Sequence, residues 1–352
     1  MKPLENLLRP NIRDLKPYSS ARDEYSGEAA IFLDANENPF NAPYNRYPDP
    51  YQRELKKRIA SLKKTKPENI FLGNGSDEAI DIAIRAFCEP GVDNIVSISP
   101  TYGMYQVAAD INNIEVRKVL LKSDFEMDPD ALLKEADKNT KIIFLCSPNN
   151  PTGNCFKEGD IRKVLEGFQG IVVLDEAYID FAPEKSWLPK LEDYPNLVIL
   201  QTFSKAWGMA GIRLGMGYSS PQIINVFSKI KYPYNVNILT QKKALDLLGE
   251  NKDMQQWVEN LLNERARLTK ALNQCKFVNK IYPTDANFIL LKAEAPKDIY
   301  NYLVGNKIII RDRSNVALCE GCLRITVGTP EENQQLMDAL ESYQSTPKNS
   351  NQ

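Results

Sequence analysis

Between residues 95 and 218 the sequence alternates short runs rich in Val and Ile with amphipathic stretches, and this alternation restricts the fold more than any other feature. The apolar runs are 95–99, 114–121, 141–146, 171–175, 197–202 and 214–218. Each lies between turn residues, as strands do. A helix is expected after Ser76, with Ile80, Ala83, Ile84 and Phe87 on one face, and another over 157–168. Such strand–helix–strand alternation specifies an α/β fold, a mostly parallel sheet sandwiched by helices. Ligands of these sheets bind beyond the carboxyl ends of the strands, so the site is located before any motif is read.

The ends of the chain are patterned differently. At 352 residues the chain has room for about two domains. We expect an N-terminal arm over 1–27, a segment over 28–50 that joins the small domain, a large domain over 51–249, a smaller α+β domain over 250–344 and a mobile tail over 345–352. The smaller domain opens on a long helical pattern, 253–275, followed by strands at 287–291, 308–311 and 323–327.

Charge and composition exclude several classes of function. Lys and Arg total 44 against 46 Asp and Glu, so no basic face invites nucleic acid or an anionic membrane. No apolar run approaches the ~18 residues of a membrane span. The opening MKPLENLLRP has charge and proline where a secretory signal needs an apolar core, so a cytoplasmic protein is expected. There is no histidine at all. That excludes a Ser-His-Asp triad, a Cys-His pair and His-ligated zinc. Proton transfer near neutral pH then falls to a tuned Lys, Tyr, Cys or carboxylate, or to a cofactor. The six cysteines are scattered, and only Cys319-Glu-Gly-Cys322 has metal-like spacing, with no second pair to complete it. We read these two as reduced thiols near a turn at Gly321 and expect no metal.

Residues able to do chemistry fall where the strands end. Asp175 closes the apolar run 171–174 and is followed by Tyr178, and a carboxylate at that depth must be paired or hydrogen-bonded. One strand later come Thr202, Ser204 and Lys205. Burial lowers the pKa of an amine, which is what imine formation needs. Arg213, eight residues on, offers a fork for a phosphate or carboxylate. Upstream, Gly73-Asn74-Gly75-Ser76-Asp77-Glu78 opens a helix whose free N–H groups suit an anion. Asn149-Asn150-Pro151-Thr152-Gly153 is a turn by composition, and an Asn-Pro bond is a candidate for the cis form.

Taken together, Asp-x-x-Tyr, Ser-x-Lys, the following Arg and the upstream Asn-Pro-Thr-Gly resemble the fold-type-I pyridoxal-phosphate aminotransferases. Within them the chain resembles the histidinol-phosphate aminotransferase family. Leu-Asp-Ala-Asn-Glu-Asn-Pro (33–39), Asn-Arg-Tyr-Pro (45–48), Arg-Ala-Phe-Cys-Glu-Pro-Gly (85–91), Pro-Thr-Tyr-Gly-Met-Tyr (100–105) and Cys-Leu-Arg-Ile-Thr-Val-Gly-Thr (322–329) all match that pattern, in order.

The resemblance implies a pyridoxal 5′-phosphate cofactor bound to Lys205 as an internal aldimine, with Lys205 also moving the proton at the substrate Cα. It implies that Asp175 pairs with the protonated ring nitrogen, and that Tyr178 and Asn150 bond the ring 3-oxygen while Tyr102 stacks on the ring. The phosphate falls to Gly75, Ser76, Asp77, Thr202, Ser204 and Arg213. Tyr47 would reach it from the neighbouring subunit, which implies a homodimer with shared sites. Arg324 and Arg311 match the family's substrate arginines, and Tyr18 and Asn36 match positions near the substrate. The implied reaction moves the amino group of L-histidinol phosphate to 2-oxoglutarate, giving glutamate. An aromatic aminotransferase, a threonine-phosphate decarboxylase and, remotely, a non-catalytic regulator would keep the same cofactor site. Arg313 receives no role.

Overall fold

The computed structural model describes residues 2–18, 31–249 and 253–345. Part of the expected arm (1 and 19–27), residues 28–30 and the tail from 346 onward lie outside them.

Seven strands form one sheet: β1 (Ile70–Asn74), β2 (Asn94–Ser99), β3 (Glu115–Leu120), β4 (Thr140–Cys146), β5 (Ile171–Asp175), β6 (Leu197–Thr202) and β7 (Leu214–Tyr218). Their order is β1-β7-β6-β5-β4-β2-β3. The neighbours from β6 to β3 pair in parallel, and β7 runs antiparallel to both β6 and β1. The mostly parallel sheet is therefore as expected, with β1 as the strand that the apolar runs did not reveal. Successive side chains of a strand point to opposite faces, and the central strands are apolar on both. In β5, Val172 and Leu174 join one core cluster while Ile171 and Val173 join the other. Helices cover both clusters, which is why these strands read as continuous apolar runs. The edge strand β3 instead buries none of its residues and exposes Glu115, Lys118 and Leu120 to solvent.

The helix Ser76–Phe87 buries Ile80, Ala83, Ile84 and Phe87, and also Ala79, Ile82 and Ala86. It lies on one face of the sheet, against β1 and β7, and is flanked there by the helices Met104–Ile111 and Pro221–Ile230, so nearly its whole girth is covered. The described part of the arm packs on this same layer. Leu7 and Ile12 are buried in its core cluster, and Arg9 donates to the Arg85 carbonyl and the Glu89 carboxylate.

A second sheet of four antiparallel strands has the order β10-β11-β9-β8, from β8 (Val278–Ile281), β9 (Phe288–Ala293), β10 (Arg311–Asp312) and β11 (Cys322–Thr326). The long helix runs Asp253–Leu272. The faces of this sheet are divided. Ile289, Leu291, Leu323 and Ile325 form a core with their own helices, whereas Phe288, Leu290 and Cys322 pack into the cluster of the large sheet. Period-2 alternation thus builds both the core of the smaller unit and its seam with the larger one. The thiols Cys319 and Cys322 are buried and free, and the Cys322 N–H donates to the Cys319 carbonyl (2.8 Å) beside a left-handed Gly321 (φ +78).

Candidate active site

The parallel strands β4 and β5 end in register at Cys146 and Asp175, and β6 ends beside them at Thr202. Beyond these ends lies a pocket of about 110 Å³. Gly75, Ser76, Asp77, Tyr102, Asn150, Asp175, Tyr178, Thr202, Ser204, Lys205 and Arg213 all line it. Every cofactor residue expected from this chain's own subunit is therefore in one place. The Asn150–Pro151 bond is cis.

Asp175 sits at the floor. It is buried, and it accepts hydrogen bonds from the Tyr105 hydroxyl (2.8 Å) and the Ala177 N–H (3.0 Å). Burial pushes its carboxyl up to about 6, against the two hydrogen bonds that favour the charged form. Among the described residues no cation lies within ion-pair distance of it. A carboxylate so placed is matched by a positively charged donor, and a protonated pyridine nitrogen is one.

Lys205 stands at the mouth. Its ammonium lies over the Tyr178 ring, 5.4 Å from the centroid. Protein crowding and then the nearby Arg324 charge lower its pKa, in the direction that frees the amine as a nucleophile. Tyr178 is buried, and burial raises its phenol above the usual range, so it is a donor at neutral pH. Tyr102 donates to Asp77 (3.1 Å) and meets Tyr105 edge to face at 5.7 Å.

The opposite end of the pocket is shaped for an anion. Gly75 has φ +75 and starts the helix Ser76–Phe87, whose first N–H groups point outward. A Cβ on Gly75 would come within 2.7 Å of the Arg213 Nη2. A Cβ on Gly215 would collide with the Ser76 nitrogen and the Gly75 carbonyl carbon, so β7 approaches this turn backbone to backbone. Glu78 fixes the turn from behind by accepting from the Asn74 N–H (2.6 Å) and from Asn235 (2.9 Å). Thr202 donates to Ser204, which lines the same end. A group with a phosphate at one end and a cationic ring nitrogen at the other fits this pocket, as the implied cofactor requires.

The substrate arginines arrive from the second sheet. Arg311 and Arg324 are direct cross-strand partners on β10 and β11. Arg324 donates to the Asn150 side chain (2.5 Å) and lies over the Phe288 ring, whose edge meets Tyr178. These two arginines do not themselves line the pocket, and neither do three further expected residues of this chain. Tyr18 is exposed, as is Asn36 in a left-handed conformation (φ +53), and Tyr47 stacks on Tyr234 at 4.4 Å.

Sequence reasoning assigned nothing to Tyr105, the donor to Asp175. It lies in the quoted run 100–105, three residues past Tyr102, but nothing in that spacing shows that it meets Asp175. Tyr105→Phe leaves the buried carboxylate one donor short. We expect a loss of about 1.5–3 kcal/mol of stability at neutral pH in urea unfolding of the cofactor-free protein. A neutral result would remove Tyr105 from the site.

Comparison with known proteins agrees with this geometry. The model of the family "Aminotransferase class I and II" matches residues 31–340. A histidinol-phosphate aminotransferase of Parabacteroides distasonis is 58% identical over 342 residues, 97% of this chain and 99% of that protein. The crystal structure of the histidinol-phosphate aminotransferase from Clostridium acetobutylicum superposes with a TM-score of 0.79 at 25% identity, covering 86% of this chain and 91% of that one. That of Sinorhizobium meliloti, in complex with pyridoxal-5′-phosphate, gives 0.78 at 24% identity, covering 88% and 90%. This chain belongs to the class I and II aminotransferases, in the group that holds the histidinol-phosphate aminotransferases.

Proposed function

We propose that this protein is a pyridoxal-phosphate enzyme that transfers the amino group of L-histidinol phosphate to 2-oxoglutarate. The observation that carries the substrate is the cross-strand pair Arg311 and Arg324, held next to the lysine site. Like charges placed directly opposite one another destabilise a sheet. Among the described residues neither guanidinium ion-pairs with a carboxylate. Two unpaired forks suit a phosphate ester in one half-reaction and the carboxylates of glutamate in the other.

When bound, pyridoxal phosphate supplies an electron sink for the pair left at the substrate Cα. Lys205 would hold it and move the proton at Cα. Asp175 would keep the ring nitrogen protonated, and Tyr178 and Asn150 would donate to the ring 3-oxygen. Tyr102 would cover one face of the ring. Gly75, Ser76 and Asp77 through their backbone, with Thr202, Ser204 and Arg213, would hold the phosphate. The smaller unit, carried by the second sheet, would bring Arg311 and Arg324 to the substrate anion. An aromatic aminotransferase or a threonine-phosphate decarboxylase would leave these cofactor residues unchanged and differ only at the substrate end.

The reading includes a homodimer. Leu33 (91% exposed) and Tyr232 (77%) stand in solvent on the segments that carry Tyr47 and Tyr234, and exposed apolar side chains of this size suit a surface that a partner covers. A partner covering it would let Tyr47, and Tyr18 and Asn36 of the arm and joining segment, reach the other subunit's site. It also includes a cytoplasmic location. All six cysteines are free, which suits a reducing compartment, and no helix of the described residues is long and apolar enough to cross a membrane.

A bacterial strain lacking its own histidinol-phosphate aminotransferase tests the whole reading. The gene should restore growth without histidine, and its Lys205→Ala form should not. Failure of the unmodified gene, with the protein present, would refute the substrate.

A further inference from the structure

The sequence Ile-Ile-Ile-Arg-Asp-Arg-Ser places a third arginine two residues beyond Arg311. The β10–β11 ladder continues past its two-residue strand, because the Arg313 N–H donates to the Cys322 carbonyl (2.9 Å). Arg313 therefore stands opposite Cys322, as Arg311 stands opposite Arg324. Strand alternation puts Arg311, Arg313 and Arg324 on one face and Asp312 on the other. Cys322 belongs to the cluster shared with the large sheet, so this face is the one turned toward the Lys205 site.

The intervening acid does not neutralise them. Asp312 accepts from the Ser314 N–H (2.8 Å) and forms no ion pair with Arg313. The Nε atoms of both Arg313 and Arg324 are buried without a hydrogen-bond partner. Burial, and then the neighbouring Arg311 charge, lowers the Arg313 pKa, and the charges of Arg324 and Arg313 both act on the Tyr178 phenol. Three guanidiniums with unused donors converge where one carboxylate would leave most of them unmet. A carboxylate offers two oxygens and one charge. A phosphomonoester offers three terminal oxygens and close to two charges at neutral pH.

We propose that Arg313 is a specificity-determining residue, the third guanidinium of the substrate-anion site, which favours a dianionic phosphomonoester over a carboxylate. This rests on the substrate reading above.

The test compares holoenzyme carrying Arg313→Gln or Arg313→Lys with the unmodified holoenzyme. KM is measured for L-histidinol phosphate and for L-glutamate in the separate half-reactions, across pH 5.5 to 8. For Arg313→Gln we expect KM for histidinol phosphate to rise roughly 10- to 100-fold, the range of a lost charged hydrogen bond. KM for glutamate should change less than about 3-fold, and Arg313→Lys should recover part of the loss. The unmodified enzyme should bind histidinol phosphate more weakly as pH falls through about 6, where the ester loses its second charge. In Arg313→Gln that dependence should flatten. Equal losses on both substrates, with the pH dependence intact, would overturn the role of Arg313 and leave the substrate reading standing. An unmodified enzyme inert toward histidinol phosphate but active with another amino donor would overturn the substrate reading, and this proposal with it.

Discussion

Lys205→Ala should lower the rate of amino transfer by at least about 10⁴-fold while leaving the fold in place. General acid–base catalysis alone contributes about 10²–10⁴, and the covalent hold on the cofactor is lost as well. The side chain opens onto solvent and makes one ring contact, over Tyr178. Substitutions of that kind ordinarily move stability by less than ~0.5 kcal/mol. Lys205→Arg separates two roles. It preserves the charge over Tyr178, but a guanidinium does not give up its proton near neutral pH. If Lys205 acts as nucleophile and proton carrier, the arginine form is as inactive as the alanine form. If it were needed only as a positive charge, the arginine form would keep a tenth or more of the rate. Steady-state glutamate formation, with circular dichroism as the folding control, distinguishes these.

Asp175→Asn should act in opposite directions on the cofactor-free protein and on catalysis. Burial raises the Asp175 carboxyl from 3.8 to about 6, so the native state holds this proton more tightly than the unfolded chain. The associated stability is therefore complete below about pH 4 and is lost as pH rises through about 6. By neutral pH the buried charge costs on the order of 3 kcal/mol in the cofactor-free protein. Asparagine keeps the shape and cannot ionise, so the urea midpoint of the cofactor-free variant should vary less over pH 4 to 7 and lie higher at pH 7. With cofactor the sign reverses, because a protonated ring nitrogen beside Asp175 stabilises the carboxylate. The variant should bind pyridoxal phosphate more weakly and turn over on the order of 10²–10³-fold more slowly, the scale of losing one preorganised electrostatic contact. A variant as pH-dependent as the parent when cofactor-free, and as fast when loaded, would exclude Asp175 from the site.

Much of this was legible in the sequence because burial on both faces leaves an unbroken apolar run. Strands β5, β6 and β7 match the expected runs residue for residue for this reason. The smaller unit was harder. Strand β8 contributes only two partly buried apolar residues, Val278 and Ile281, too few for a pattern. The run 308–311 suggested a strand, but Ile309 is 71% exposed and pairing begins only at Arg311, the last residue of that run. There, position opposite Arg324 mattered more than hydrophobicity. The site residues of the large sheet were legible because each follows a strand end at a fixed offset. Tyr105 and Glu78 were not, since their roles depend on what Asp175 and the Asn74 turn meet in space. The same holds for Arg313, whose significance lies in a register that no spacing reveals.

The most direct test of the central claim is a single-turnover half-reaction followed by cofactor absorbance. Protein loaded with pyridoxal phosphate is mixed separately with L-histidinol phosphate, L-phenylalanine or O-phospho-L-threonine, and 2-oxoglutarate is then added. The account predicts that histidinol phosphate gives the fastest conversion to the pyridoxamine form, and that 2-oxoglutarate returns the original spectrum with one glutamate formed per site. Faster conversion with phenylalanine, or carbon dioxide released from phosphothreonine, would contradict it.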